Sequence, residues 1–268
     1  MGSRYSILLE KIWTELSPKI QRLKLERYMK DVYSQTWITN RHENYGFSAY
    51  DKAICNYIEY NFQSNDLARR SKLLDVAVGT GYPIAEYFVK SGFSVHGIDI
   101  APNLINYCER NYPEINSTIG NANNMDYPNN MFDLTYCFHS TWYFPSLLNV
   151  IKEMLRVTAL NGKVIFDIQN RNNKIHSDIT LKLQDPFVRR WLKNLKNMIL
   201  KDGPVIWKRV IHQTPTYPET IYKFLMSHGC DDFFVMAWDE QQQQLVKMTE
   251  RLPYHEYARL IFIVSALK

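Results

Sequence analysis

Gly79 and Gly81 follow directly on an apolar run, Leu73-Leu-Asp-Val-Ala-Val78, with Asp75 inside it. Glycine lets the backbone take φ > 0 and removes the Cβ that would block the close approach of a ligand. A strand that ends in such a turn presents backbone N–H groups and the N-terminus of the next helix, a setting for nucleotide-like ligands. Asp99 stands about 20 residues beyond Gly79, the distance at which an acid can reach a ribose hydroxyl. His139 closes a second apolar run, Phe132 to Phe138, and an imidazole can exchange a proton near neutral pH. The chemistry these residues suit is the holding of a nucleotide-like cofactor with a proton acceptor beside it.

The elements that position them follow from the periodicity. Ile84, Ala85, Phe88 and Val89 recur at the spacing of one helix face, and Gly92 ends that helix. Phe93 to Asp99 reads as a second strand, so strand, glycine turn, helix, strand and acid make one βαβ unit. Pro102 opens the next helix in its first turn. Strand three is expected near Asn116 to Gly120 and strand four over Phe132 to Phe138. A helix from Ser146 to Thr158 carries Leu147, Leu148, Ile151, Met154 and Leu155 toward the sheet. Asn161-Gly162 turns the chain into strand five, and Asp232 to Trp238 and Ala258 to Ala266 read as the last two strands. Thr216-Tyr-Pro-Glu219 has the pattern of a capping box for the helix that Gly229 ends. Gln241 to Gln244 reads as an exposed loop or helix turn.

A dinucleotide fingerprint wants a third glycine three residues after the second, and Ile84 stands there. The stretch instead resembles motif I of the S-adenosylmethionine-dependent methyltransferases with a Rossmann-like fold (class I). In that family an acid and Gly-x-Gly-x-Gly correspond here to Asp75, Ala77, Gly79 and Gly81, with Ala77 in place of the first glycine. Such a replacement suits a backbone with φ < 0 at Ala77. Gly97 to Pro102 looks like the second motif, and Gly120 to Asp133 like the stretch that covers the adenine. There Asn121 replaces the usual acid, and its amide oxygen is expected to accept the adenine amino group. The likeness is tight over about 73–168 and looser beyond.

The resemblance implies an α/β fold: a doubly wound, mostly parallel seven-stranded sheet with an antiparallel last strand. It implies S-adenosyl-L-methionine as cofactor and S-adenosyl-L-homocysteine as product. Asp75, Ala77, Gly79, Gly81, Asp99, Ile100, Asn121, Ala122 and Phe138 are the implied cofactor contacts. His139 is the candidate general base. Tyr45, Tyr50, Trp142, Tyr143, Asn170 and Arg171 are candidates for binding the acceptor. Trp37, Tyr45, Phe47 and Tyr50 could form a lid, and Arg189, Arg190, Lys193 and Lys196 read as a solvated helix face or an anion contact.

Residues 1–70 read as a helical cap, with Leu8 to Leu16, Leu23 to Tyr33 and Ala49 to Phe62 as helices. Residues 71–268 read as the core, with an insertion over about 170–215 that is amphipathic from Ile179 to Leu200. At 46% hydrophobic residues the chain can bury a sizeable core, yet no run of about 18 apolar residues suggests a membrane span. A net charge of +5 is too small and dispersed for a nucleic-acid binder. Four scattered cysteines suit buried thiols in a cytoplasmic protein, and no Cys/His cluster has metal-ligand spacing. The expected function is methyl transfer to an oxygen or nitrogen of a small molecule by a monomer or homodimer, without nucleic acid, membrane or metal. The alternatives are a SAM-binding protein of the same fold with a macromolecular substrate or another activity, and an NAD-dependent oxidoreductase.

Overall fold

The computed structural model describes residues 29–30, 37–38, 41–62, 71–176, 215–249 and 254–266. The helix expected over Leu8 to Leu16, all but residues 29–30 of that over Leu23 to Tyr33, and the amphipathic part of the insertion, with Arg189, Arg190, Lys193 and Lys196, lie outside the described residues. In chain order, a π turn over Arg41–Tyr45 precedes helix α1 (Ala49–Phe62), strand β1 (Lys72–Val76), α2 (Ile84–Lys90) and β2 (Ser94–Asp99). There follow α3 (Pro102–Asn111), β3 (Asn116–Ile119), β4 (Phe132–Cys137), α4 (Leu147–Val157) and β5 (Thr158–Gln169). The last elements are α5 (Pro218–Ser227), β6 (Phe233–Asp239), β7 (Gln244–Lys247) and β8 (Arg259–Ser265).

The strands form one sheet in the order β3-β2-β1-β4-β5-β8-β6-β7. β1 to β5 pair in parallel, while β8 runs antiparallel between β5 and β6. Strand order reverses between β1 and β4, and a crevice opens there beyond the carboxyl ends of the strands. The sheet has eight strands where seven were expected. The extra one, β7, begins at the end of the glutamine tract, whose first three residues form the exposed turn of a hairpin. Asp239 Oδ1 accepts the N–H groups of Gln241 and Gln242, which folds the chain back so that Leu245 and Val246 pair with Trp238 and Ala237.

Both faces of the sheet are covered, so its strands read as continuous apolar runs rather than alternating ones. On one face Leu74, Val164, Phe166 and Phe262 pack on Val150, Ile151 and Met154 of α4 and Ile221 and Leu225 of α5. On the other, Leu73, Leu134, Tyr136, Ile165 and Ile263 pack on α1, α2 and α3 through Ile54, Ile58, Ala85, Phe88, Ile105 and Cys108. Helix α5 does not start as its sequence suggested. Its N-cap is Tyr217 without a side-chain cap. Thr216 is drawn into a bridge with Asn170, and Glu219 accepts the Asn172 amide.

One device fixes the loop that borders the crevice below β3. Arg156, near the end of α4, donates to the carbonyls of Met125 and Tyr127, to Asn129 and to both Glu153 oxygens. Glu153 in turn accepts the Met125 N–H. Hydrogen bonding to Arg156 holds the Glu153 carboxyl below its ordinary range. Arg156→Met leaves two carbonyls without these donors, and it is expected to cost about 1–3 kcal/mol in urea unfolding. Hydrogen exchange over 121–131 should rise with it; unaltered exchange would show that packing alone holds the loop.

Candidate functional site

The crevice at the strand reversal holds about 1130 Å³ of empty space counting its open mouth. All nine residues expected to contact a cofactor border it: Asp75, Ala77, Gly79, Gly81, Asp99, Ile100, Asn121, Ala122 and Phe138. His139 and Tyr143 border it as well. The turn after β1 is tightly packed on its inner side. A Cβ on Gly81 would stand 2.9 Å from both Cys108 Sγ and Ile115 Cδ1, and its φ of +83 is one that side-chain-bearing residues rarely adopt, so the position favours glycine. Ala77 departs from expectation: its φ is +67, not negative. The Ala77 and Val78 N–H groups both reach the Ile98 carbonyl, and this close tie between β1 and β2 imposes the left-handed backbone. An L residue there costs about 1–2 kcal/mol.

Asp99 organises the turn. Its Oδ2 accepts the Gly79 N–H at 3.0 Å and its Oδ1 accepts the Ala101 N–H at 2.9 Å. Burial pushes its carboxyl up to about 6, and the N–H groups of Ala101, Gly79 and Ile100 work against that rise. The carboxylate keeps a lone pair for a hydroxyl donor.

Asn121 is arranged differently from expectation. Its Oδ1 already accepts both the backbone N–H and the side-chain amide of Asn123, closing a tight local turn. The acceptor left without a partner is Asn123 Oδ1. Thr80 Oγ1, in the glycine turn, is likewise buried without a partner. Both residues border the crevice. Spacing gave no sign of either, because their significance lies in which polar atoms the fold leaves unpaired.

At the other end of the crevice stands His139, itself at φ +60. Its backbone N–H donates to Asp167 on β5 at 3.1 Å, and its Nε2 lies 2.6 Å from Oδ1 of Asp51 on α1. Both carboxylates are fully buried. Asp167 also accepts the Tyr50 hydroxyl at 3.1 Å and faces Arg259 of β8 at 3.8 Å. The Arg259 guanidinium lies 4.3 Å from the Tyr50 ring and 5.6 Å from the Trp142 ring. Burial first, and then the Asp167 charge, hold the Tyr50 phenol protonated well above its usual range.

The expected acceptor contacts therefore divide. Tyr143 borders the crevice. Tyr50 and Trp142 are buried behind His139, their rings edge-on to its imidazole at 5.3 and 6.4 Å. Tyr45 is 60% exposed and touches Trp37, and Phe47 packs on Tyr87. Of the expected lid, Trp37 alone borders the crevice, with Nε1 3.6 Å from where a Gly79 Cβ would stand. Asn170 and Arg171 lie outside it. Asn170 is fully buried and tied to the Tyr257 carbonyl, and Arg171 stacks on Tyr217, because β5 runs on to Gln169 and carries them past the crevice.

This sheet order, with a glycine turn and an acid at its reversal, defines the Rossmann-like class of methyltransferase folds. A methyltransferase of Thermotoga maritima that depends on S-adenosylmethionine shares it. The TM-score is 0.55 at 14% identity, covering 91% of this chain and 98% of that one. Residues 74–166 match a family model described as a methyltransferase domain. A demethylmenaquinone methyltransferase of Lysinibacillus sphaericus is 35% identical over 35% of this chain and 43% of its own length. A sterol 24-C-methyltransferase of Gibberella zeae is 29% identical over 49% of this chain and 37% of its own length. The chain thus spans less than half the length of these curated relatives. Over residues 74–166 it matches a methyltransferase domain, and it shares the fold of a methyltransferase that depends on S-adenosylmethionine. The residues present fit that cofactor: a glycine turn, a buried acid, and two unpaired polar groups, all bordering one crevice.

Two outcomes are expected. Ala77→Gly relieves the left-handed strain and should raise unfolding free energy by about 1 kcal/mol in urea titration; a loss would mean that the Ala77 methyl contributes packing. Ribose hydroxyls donate best to an ionised Asp99, so ligand binding favours release of its proton. Calorimetric affinity for S-adenosylhomocysteine should therefore fall roughly tenfold between pH 7 and 5, through about 6. Asp99→Ala should bind at least tenfold more weakly at pH 7 and lose that pH dependence; His139→Ala should bind nearly as well as the parent.

Proposed function

We propose that this chain transfers a methyl group from S-adenosylmethionine to an oxygen or nitrogen of a small molecule, with His139 as proton acceptor. The observation that carries this reading is the single crevice. It has the glycine turn and Asp99 at one end and His139, backed by two buried carboxylates, at the other. When bound, the cofactor supplies a methyl carbon made electrophilic by its sulfonium, so the protein's task is mainly alignment and exclusion of water. Asp99 and the glycine turn hold the adenosyl part. Phe138, Tyr143, Phe144 and Trp37 wall the remaining space with apolar surface, which suits a small acceptor and lets a cation lie against aromatic faces. His139 takes the proton of an acceptor that arrives protonated. Two relatives are named for small-molecule acceptors, a sterol and demethylmenaquinone, and this supports the same substrate class here. No described helix is long and apolar enough to cross a membrane. The reading extends to a monomer or homodimer working in the cytoplasm without nucleic acid.

A thermal-shift comparison tests the cofactor first. S-adenosylmethionine and S-adenosylhomocysteine at millimolar concentration should each raise the melting temperature by several degrees, and NAD should not. Labelled methyl transfer into a metabolite extract, with the product resolved by mass spectrometry, should place the label on an oxygen or nitrogen of a small molecule. Stabilisation by NAD alone, or label appearing only on macromolecules or carbon, would refute the proposal.

A further inference from the structure

Asp51 lies two residues inside the first turn of α1, where an acid ordinarily serves only the helix end. Here it serves two masters at once. Its Oδ2 accepts the Ser48 backbone N–H at 3.0 Å and the Ser48 hydroxyl at 2.8 Å, while Ser48 Oγ accepts the Asp51 N–H at 3.1 Å. This is a reciprocal capping box. The other oxygen, Oδ1, faces His139 Nε2 at 2.6 Å. Asp51 is fully buried, so its geometry is set by partners within the protein, these among them, and not by water.

A carboxylate only accepts hydrogen bonds, so Nε2 must carry the proton. In the neutral ring that leaves Nδ1 bare, and Nδ1 has no hydrogen bond from the described residues. The ring is fixed from its other sides as well. Tyr50 and Trp142 stand edge-on to it, and Asp167 holds the residue's N–H and hence its left-handed backbone.

We infer that Asp51, locked by Ser48, is the positioning residue of this site. It holds His139 as the Nε2–H tautomer and so reserves Nδ1 for the acceptor's proton. This rests on the proposed transfer reaction and narrows its acceptor to one that arrives with a proton on the reacting atom, an uncharged hydroxyl. Apart from Asp75 and Asp99, which belong to the cofactor end, the described residues that line the crevice include no carboxylate to pair with an ammonium. In the step, the acceptor oxygen forms its bond to the methyl carbon as the C–S bond breaks and its electron pair stays on sulfur. The hydroxyl proton goes to Nδ1, and the imidazolium formed faces Asp51.

The capping box makes the effect of Asp51→Asn specific. Ser48 N–H demands an acceptor, so the amide oxygen must occupy the Oδ2 place. The NH₂ group is then turned toward Nε2, which must accept, and the ring proton moves to Nδ1. The test is ¹⁵N-histidine NMR of the full chain with S-adenosylhomocysteine at pH 8. The parent should show protonated Nε2 and bare Nδ1 at His139, and D51N the reverse. D51N should bind S-adenosylhomocysteine as the parent does, yet transfer labelled methyl to hydroxyl products roughly 10²- to 10⁴-fold more slowly. A parent ring protonated at Nδ1, singly or doubly, overturns the inference even if D51N fails to fold, as does a D51N that keeps both tautomer and rate. Failure of S-adenosylhomocysteine to bind the parent would instead refute the proposed function, and the parent's ring state would still judge the inference.

Discussion

Where a parallel sheet reverses its strand order, the backbone groups at the strand ends lose the neighbour that would have paired with them. Buried N–H groups must be satisfied by something. In this protein buried carboxylates do it. Asp99 takes the N–H groups of Gly79 and Ala101, and Asp167 takes that of His139. Each acid holds a short stretch of left-handed or sharply turned backbone that the chain would not keep alone. The shape of the crevice follows from those few bonds.

The same bonds tie distant parts of the chain into one site. Asp167 gathers Tyr50 from α1, His139 from the end of β4 and Arg259 from β8. Asp51 adds a second link from α1 to His139. Two carboxylates and one guanidinium share this buried space with aromatic rings, so removing any one charge leaves another exposed to low dielectric. Helix α1 is therefore more than a cover. Its first turn supplies the groups that orient the residue most suited to proton transfer, and its apolar face seals the sheet behind them.

Much of the fold was legible because it rests on local signals. The helix over 49–62 and the strand and turn at 72–81 follow from apolar spacing and glycine placement, and both stand where the spacing put them. Departures came where a tertiary demand overrode a local pattern. The capping box at Thr216 gave way because Thr216 pairs with Asn170 across the chain. The residues after the glutamine tract became a strand because Asp239 turned the chain and β6 offered an open edge. Ala77 took a positive φ because β2 lies close enough to claim its N–H.

Residue types and their order along the chain determined the class of fold, the glycine turn after β1 and the acid beside it, since these depend on contacts within about 30 residues of one βαβ unit. They also singled out His139. What only the tertiary structure decided is which groups stand behind it. Asp51 and Asp167 lie 88 and 28 residues away in sequence, and Asn123 and Thr80 differ from their neighbours only in being left unpaired. Hydrogen-bond partners chosen across such distances follow from how helices and strands pack, and no local pattern encodes them.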